Sequence, residues 1–402
     1  MSDRAETPET PLAGCRVVDL TTVLMGPSTT QALAEFGAEV IKVEAPEGDL
    51  VRGIGPMRHP GMGAIFINAN RGKKSVVLDI KTAPGRDALL RLIAQADVFA
   101  YNLRPQAMAR LGLSWEALSA LNPRLIYVGM FGFARGGPYS ARPAYDDIIQ
   151  GASGLAWLAG VANGGAPSYA PLALADRVTA LSAVNQVLAA LLLRARTGRG
   201  CAIDVTMFET VTRMTLADHL QGEAFVPPEG PTGYARQLSR YRKPYQTRDG
   251  WVCALIYSNG HWQRFLELVG RQQMLADDPA LAHIEGRTRR IDELYGIVES
   301  ELAHRTTAEA MALLESIDAP SIPMFSIDEL LHDPHLLATG FFGEESHPSE
   351  GRLRTTGTGA RWHGEGLPAP GPAPRLGEHT REVLASLGYG RGEIEAIMGL
   401  GQ

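Results

Sequence analysis

The apolar run Pro171-Leu-Ala-Leu-Ala ends on the carboxylate of Asp176 and continues at once into a long apolar segment. From Arg177 to Thr197 the pattern is helical, with Val178, Leu181, Val184, Leu188, Leu191 and Leu192 returning on one side. Asp176 then falls at the N-cap, facing unpaired backbone N–H groups and the positive end of the helix dipole. Two readings fit this placement. Asp176 is a helix cap, or it is a carboxylate nucleophile kept ionised by the helix end and walled in by small residues. A second carboxylate, Asp146 in Tyr145-Asp146, begins a helix expected over 144–158. It is either a helix-start charge or an orienting group near Asp176.

Cations fall in three other places. Asn70-Arg71-Gly72-Lys73-Lys74-Ser75 puts Arg71, Lys73 and Lys74 into one loop before a strand. Such a run is a solvated loop, or a polyphosphate site built from cations and backbone N–H groups. Lys42, near the end of a strand, joins that loop if the sheet brings the two together. Arg104, in Tyr101-Asn-Leu-Arg-Pro105, lies just beyond the carboxyl end of a strand, where open α/β sheets bind ligands. The Gly-rich loop Gly132-Phe-Ala-Arg-Gly-Gly-Pro-Tyr139 also follows a strand directly, and its glycines serve a turn or a ligand.

The elements that would position these residues alternate. Strands read at 15–20, 39–44, 75–80, 97–101, 124–130 and 202–207, with helices between them, so an α/β domain with a parallel sheet covered on both faces is expected. The first β-α-β unit ends on an acidic residue, but its turn Thr21-Thr-Val-Leu-Met-Gly26 lacks the G-x-G-x-x-G of dinucleotide enzymes. From Glu223 to Tyr241 the texture turns to Pro, Gly and polar residues, marking a crossing into a smaller α+β domain with a hairpin around Arg248-Asp-Gly250. The expected division is 1–222 for a Rossmann-like large domain, 223–327 for the small domain and 328–402 for a segment returning to the large one.

With 402 residues and a net charge of −6, the chain can bury a large core but has no basic field for nucleic acid. Its three cysteines, Cys15, Cys201 and Cys253, form no ligand spacing, and its ten histidines show no H-E-x-x-H pair. No G-x-S-x-G elbow is present. The start is polar and acidic, unlike a signal peptide, and the apolar stretch Leu181 to Leu193 is broken by Ser182, Asn185 and Gln186, too short and polar to span a bilayer. A cytoplasmic protein without tightly bound cofactor, metal, nucleic acid or membrane partner is expected.

The chain resembles the class III coenzyme A transferases, the family that includes formyl-CoA and carnitine-CoA transferases. The ordered set that carries the likeness includes Val17-Val-Asp-Leu20 with Gly26-Pro27, Gly37-Ala-Glu-Val-Ile-Lys-Val-Glu44, the Asn70–Ser75 loop and Asn102-Leu-Arg-Pro105. It continues with Arg110-Leu-Gly-Leu113, Leu121-Asn-Pro-Arg-Leu-Ile126, Gly132-Phe133, Tyr145-Asp146, Thr197-Gly-Arg-Gly200, Asp333-Pro334 and Leu376-Gly-Glu-His379. The resemblance implies that Asp176 is the nucleophile, that CoA passes between carboxylic acids through an aspartyl-CoA thioester, and that the protein is an interlocked homodimer. It makes Lys42, Arg71, Lys73, Lys74 and Arg104 candidate CoA-phosphate contacts, with acyl-CoA and a carboxylic acid as substrates. An intramolecular transfer of CoA within one diacid would look the same.

The family also contains α-methylacyl-CoA racemases, which resemble the transferases but use a histidine in a Gly-His-Asp motif. Here Ala144-Tyr145-Asp146 stands in its place, and tyrosine, with a pKa of about 10, is a poor proton shuttle at neutral pH. Two further departures bear on substrate. Nothing between Glu223 and Tyr257 matches the glycine run that closes over the intermediate in formyl-CoA transferases, which argues against formyl-CoA and oxalate. Val23-Leu24 replaces the family's first-loop glutamine, which points to a less polar acyl group.

Overall fold

The computed structural model describes residues 10–362 and 367–400. The sequence also suggests disorder over the first ten residues and a Pro/Gly linker over 366–374; of these, residues 1–9 and 366 lie outside the described residues. The described chain divides into two compact units, one made of 1–152, 171–212 and 340–402, the other of 153–170 and 213–339. The crossings fall at 212/213 and 339/340, against the expected 222/223 and 327/328, and 153–170 groups with the second unit.

The first unit is built on six parallel strands: β1 (Arg16–Leu20), β2 (Glu39–Glu44), β3 (Lys73–Val77), β4 (Val98–Tyr101), β5 (Ile126–Phe131) and β6 (Cys201–Thr206). Their order is β3-β2-β1-β4-β5-β6. Successive residues of one strand feed separate cores: Val17, Val40 and Val98 enter one, while Val18, Ile41 and Phe99 enter the other. This is why the strands read as continuous apolar runs rather than alternating ones. The chain winds outward from β1 to β3 and returns to β4 on the other side of β1. That reversal opens a crevice at the carboxyl ends of β1 and β4, the usual ligand site of such sheets.

Three helices place the chemistry: α1 (Met25–Glu35), α2 (Asp146–Ala152) and α3 (Leu174–Thr197). The helix expected over 144–158 is broken, with α2 ending before Gly154, whose φ of +82° suits glycine. Helix α3 starts at Leu174 rather than Arg177, and its buried residues are the mostly small Ala175, Thr179, Ala180, Ala183, Val184, Val187 and Ala190. The expected stripe splits: Val184 is buried and Leu188 and Leu191 pack against the core, while Leu181 is 67% exposed and Leu192 64%. Small residues win because α1 lies close, with Thr29 Oγ1 3.5 Å from the Ala180 carbonyl. An 18-residue window of α3 has a mean hydropathy of 1.5. By length and composition alone this 24-residue helix would pass for a membrane span, as core helices also do, contrary to the sequence expectation. It is a core helix here, with its last turn tied to the sheet by Arg194 and Asp97 at 2.8 Å.

The second unit carries a three-stranded antiparallel sheet, Tyr245–Gln246, Trp251–Ala254 and Ser321–Pro323, in that order. Helices pack their apolar faces over it, burying Trp262, Phe265, Leu294 and Leu314.

Candidate active site

A cleft of about 620 Å³ opens within the first unit where β1 and β4 diverge. The loops after β1, β4 and β5 line it, together with Asp176 and Met207. Asn102, just past β4, bridges to the loop after β1: its Oδ1 accepts from Thr22 N at 3.0 Å and its Nδ2 donates to Thr22 O at 2.8 Å. Gly132 sits where a Cβ would meet the Ala144 Cβ at 2.1 Å. That close approach draws Tyr145 and Asp146 toward the start of α3.

Asp176 is the third residue of α3, and Ala173 holds the N-cap position. The expected cap is thus displaced, and the capping runs the other way. Asp146 Oδ1 accepts the backbone N–H of Asp176 at 3.0 Å, satisfying one of the orphan donors of the helix start. The other oxygen, Oδ2, accepts from Gln150 Nε2 at 2.5 Å, and the same amide reaches the Leu172 carbonyl at 3.3 Å. Asp146 and Gln150 therefore fix the turn that presents Asp176. Burial pushes the Asp176 carboxyl up, the Asp146 carboxylate pushes it the same way, and Arg177 offsets part, leaving it at about 6. It is ionised at neutral pH, yet more basic than an exposed aspartate.

Among the described residues lining the cleft, Asp176 is the sole carboxylate and no histidine is present. Four arginines line it as well: Arg104, Arg110, Arg135 and Arg142. Arg135 is held by Asp204 at 2.7 Å and by the Tyr101 hydroxyl at 3.0 Å. Arg104, Arg110 and Arg142 have no ion-pair partner among the described residues; Arg142 rests over the Tyr139 ring at 4.6 Å. Unpaired guanidinium groups around a cleft suit a polyanionic ligand.

The other cations singled out in the sequence are placed differently. Lys42 is fully buried, its Nζ on the Thr21 carbonyl at 2.8 Å and on Asp49 at 2.9 Å. Lys73, also buried, donates to Asp19 at 3.0 Å, to the Pro27 carbonyl at 2.9 Å and to Asn70 at 2.9 Å. Arg71 pairs with Glu345 at 3.2 Å, and Lys74 with Glu39 and Glu382 at 3.0 and 2.9 Å. Neither the two lysines of β3 nor Lys42 and Arg71 line the cleft; Arg104 does. Arg110 and Arg135 were visible in sequence only as parts of motifs, and Arg142 had no signal beyond standing in a loop. No cluster of potential metal ligands occurs among the described residues.

The chain is matched by known proteins. The model of CoA-transferase family III covers residues 12–380. The chain belongs to CoA-transferase family III. A formyl-CoA:oxalate CoA-transferase of Escherichia coli O6:H1 is 32% identical, the match spanning 96% of this chain and 98% of that protein. Among solved structures, an aspartate-to-alanine variant of Rv3272 from Mycobacterium tuberculosis superposes with a TM-score of 0.81 at 30% identity, over 94% of this chain and 100% of the other. A CAIB/BAIF family protein from Brucella suis gives 0.77 at 31% identity, over 94% and 99%. The α/β fold with its six-stranded parallel sheet is that of these neighbours. A family III CoA-transferase acts on CoA thioesters and carboxylates, and the cleft holds groups suited to both.

Proposed function

We propose that this enzyme moves CoA between carboxylic acids through a thioester on Asp176. The observation that carries the reading is the cleft's charge pattern: one carboxylate with its pKa raised to about 6, beside three arginines that have no ion-pair partner among the described residues. Asp176 attacks the carbonyl of an acyl-CoA, forming a mixed anhydride and releasing the CoA thiolate. The thiolate attacks the aspartyl carbonyl, frees the donor acid and leaves aspartyl-CoA. An acceptor carboxylate attacks that thioester, forming a second anhydride and releasing thiolate again. Thiolate attack on the acceptor carbonyl gives the new acyl-CoA and restores Asp176. Protons balance throughout, so no proton shuttle is needed. Arg104, Arg110 and Arg142 hold the CoA phosphates, and Asp146 positions Asp176.

The racemase alternative needs an acid/base pair across the α-carbon. The residue before Asp146 is Tyr145, 64% exposed, and the cleft lining has no histidine among the described residues. Val23, Leu24, Met25, Phe133 and Met207 give the cleft apolar walls that favour an apolar acyl group. We further propose an interlocked homodimer in the cytoplasm, in which the leucines exposed on α3 are covered by the second copy.

The test is intact-mass spectrometry with a panel of acyl-CoA esters, formyl-CoA with oxalate included, quenched with hydroxylamine or borohydride. A mass change at Asp176, absent in Asp176→Ala and Asp176→Asn, supports the reading. Deuterium exchange at the α-carbon of a branched acyl-CoA, with no adduct, replaces it by the racemase.

A further inference from the structure

Beneath the cleft lies a set of four buried charges that the transfer chemistry does not use. Asp19 accepts at Oδ1 from Thr21 N and Thr21 Oγ1, at 2.9 and 2.5 Å, and at Oδ2 from Thr30 Oγ1 and Lys73 Nζ, at 2.5 and 3.0 Å. Burial alone would raise its pKa, but Lys73, Lys42 and the two hydroxyls bring it down to about 2. Asp49 accepts Lys42 Nζ on Oδ2 at 2.9 Å, and on Oδ1 the backbone N–H groups of Val23 at 3.1 Å and Val51 at 3.2 Å. Both ion pairs are wholly buried.

These groups converge on one stretch of backbone. Thr21 N is held by Asp19, Thr21 O by Lys42, Val23 N by Asp49 and Pro27 O by Lys73. The Asn102 amide holds both backbone groups of Thr22 between them. Within this frame Val23, which lines the cleft, has a φ of +71°. A β-branched residue does not take the left-handed region unless its surroundings impose it. The hold is therefore directed at a residue whose free backbone would turn elsewhere.

A simpler reading is that Asp49 only caps the short helical turn Leu50–Gly53, which it does through Val51 N. Capping uses one oxygen and does not require Lys42 or Val23. We propose that Asp49 and Lys42 are positioning residues for the cleft: together they lock Val23 in its left-handed conformation and so set the wall against which the substrate seats. The functional consequence rests on the cleft being the seat of transfer; the lock itself does not.

The experiment uses the full-length protein as Asp49→Asn, Val23→Gly and the double variant, with hydrogen exchange read by mass spectrometry and CoA affinity by calorimetry. Asp49→Asn should raise exchange in peptides covering 21–27 while leaving α3 protected, and should weaken CoA binding by roughly tenfold. Glycine takes the same φ without strain, so in the Val23→Gly background the same substitution should change CoA affinity by less than about twofold. If Asp49→Asn fails to fold, Lys42→Met with Asp49→Leu removes both charges at once and gives the same exchange readout. Exchange rising across the whole sheet, or an equal affinity loss in both Val23 backgrounds, makes Asp49 a structural cap and overturns the proposal. Normal loop exchange effects with no Asp176 adduct under any acyl-CoA would leave the lock standing and remove the transferase reading instead.

Discussion

Two groups of ionisable residues stand close in the fold and are treated in opposite ways. Under the loop after β1, Asp19 with Lys73 and Asp49 with Lys42 are buried completely, each charge facing its opposite. At the start of α3, burial raises the pKa of Asp176 to about 6 and the neighbouring Asp146 carboxylate adds to the rise. Opposite charges sealed from water make a rigid frame whose members have no freedom to react. A partly buried carboxylate at a cleft wall with a like charge behind it is left basic and reactive. Burial acts to raise the pKa of both carboxyls; Asp19 has cations that offset the burial and Asp176 has a like charge that adds to it.

The comparison can be broken most sharply by removing one charge from each region. Asp176→Ala should reduce adduct formation more than about a thousandfold, with the protein still folded by circular dichroism. Lys73→Met leaves Asp19 buried and unpaired, and should cost about 3–5 kcal/mol in denaturant unfolding. A lysine that served only CoA phosphates would show the reverse, weaker binding with normal stability. Arg104→Ala, which removes an unpaired cleft cation, should weaken CoA about tenfold at constant Tm, the loss shrinking as salt rises.

Smaller effects sharpen it further. A carboxyl whose folded pKa is raised favours the folded state at low pH, and that contribution is lost as pH rises through the folded pKa. Asp176→Asn should therefore raise Tm at pH 7 and above, with a gain that shrinks as the pH falls through about 6. Activity has the opposite sign and should fall as pH drops through that same value, because the nucleophile is then protonated. Asp146→Asn keeps an acceptor for the Asp176 N–H but removes the like charge. It should move the acid limb of the pH–rate profile to lower pH by less than the full shift, since burial is the larger cause.

The alternation of strands and helices was legible because it rests on local pattern, whereas in sequence Asp146 stays open between a helix-start charge and an orienting group because 30 positions separate it from Asp176. The cations were harder. In sequence, Lys42 and Lys73 look like Arg104, each beside the end of a strand. The partner that buries Lys73, Asp19, is set by sheet order and lies 54 positions away, while Lys42 meets Asp49 seven positions on, in a loop that carries no pattern of its own. Helix α3 misleads differently: its leucines form the more obvious stripe, but close approach of α1 favours alanine and threonine. Periodicity locates a helix without choosing between two apolar faces. Arg142 had no pattern at all, because loops after strands are positioned by the strands and not by their own composition.

One small contact has a chemical lifetime attached to it. The side chain of Asn102 carries a donor and an acceptor in one plane and fits Thr22 as a neighbouring peptide would. Hydrolysis of that amide to a carboxylate leaves two acceptors, and the Thr22 carbonyl then meets oxygen in place of N–H. The crevice between β1 and β4 is thus fastened by a bond that deamidation at Asn102 would remove, so a one-dalton gain at that residue should be accompanied by loosening of the loop beside it.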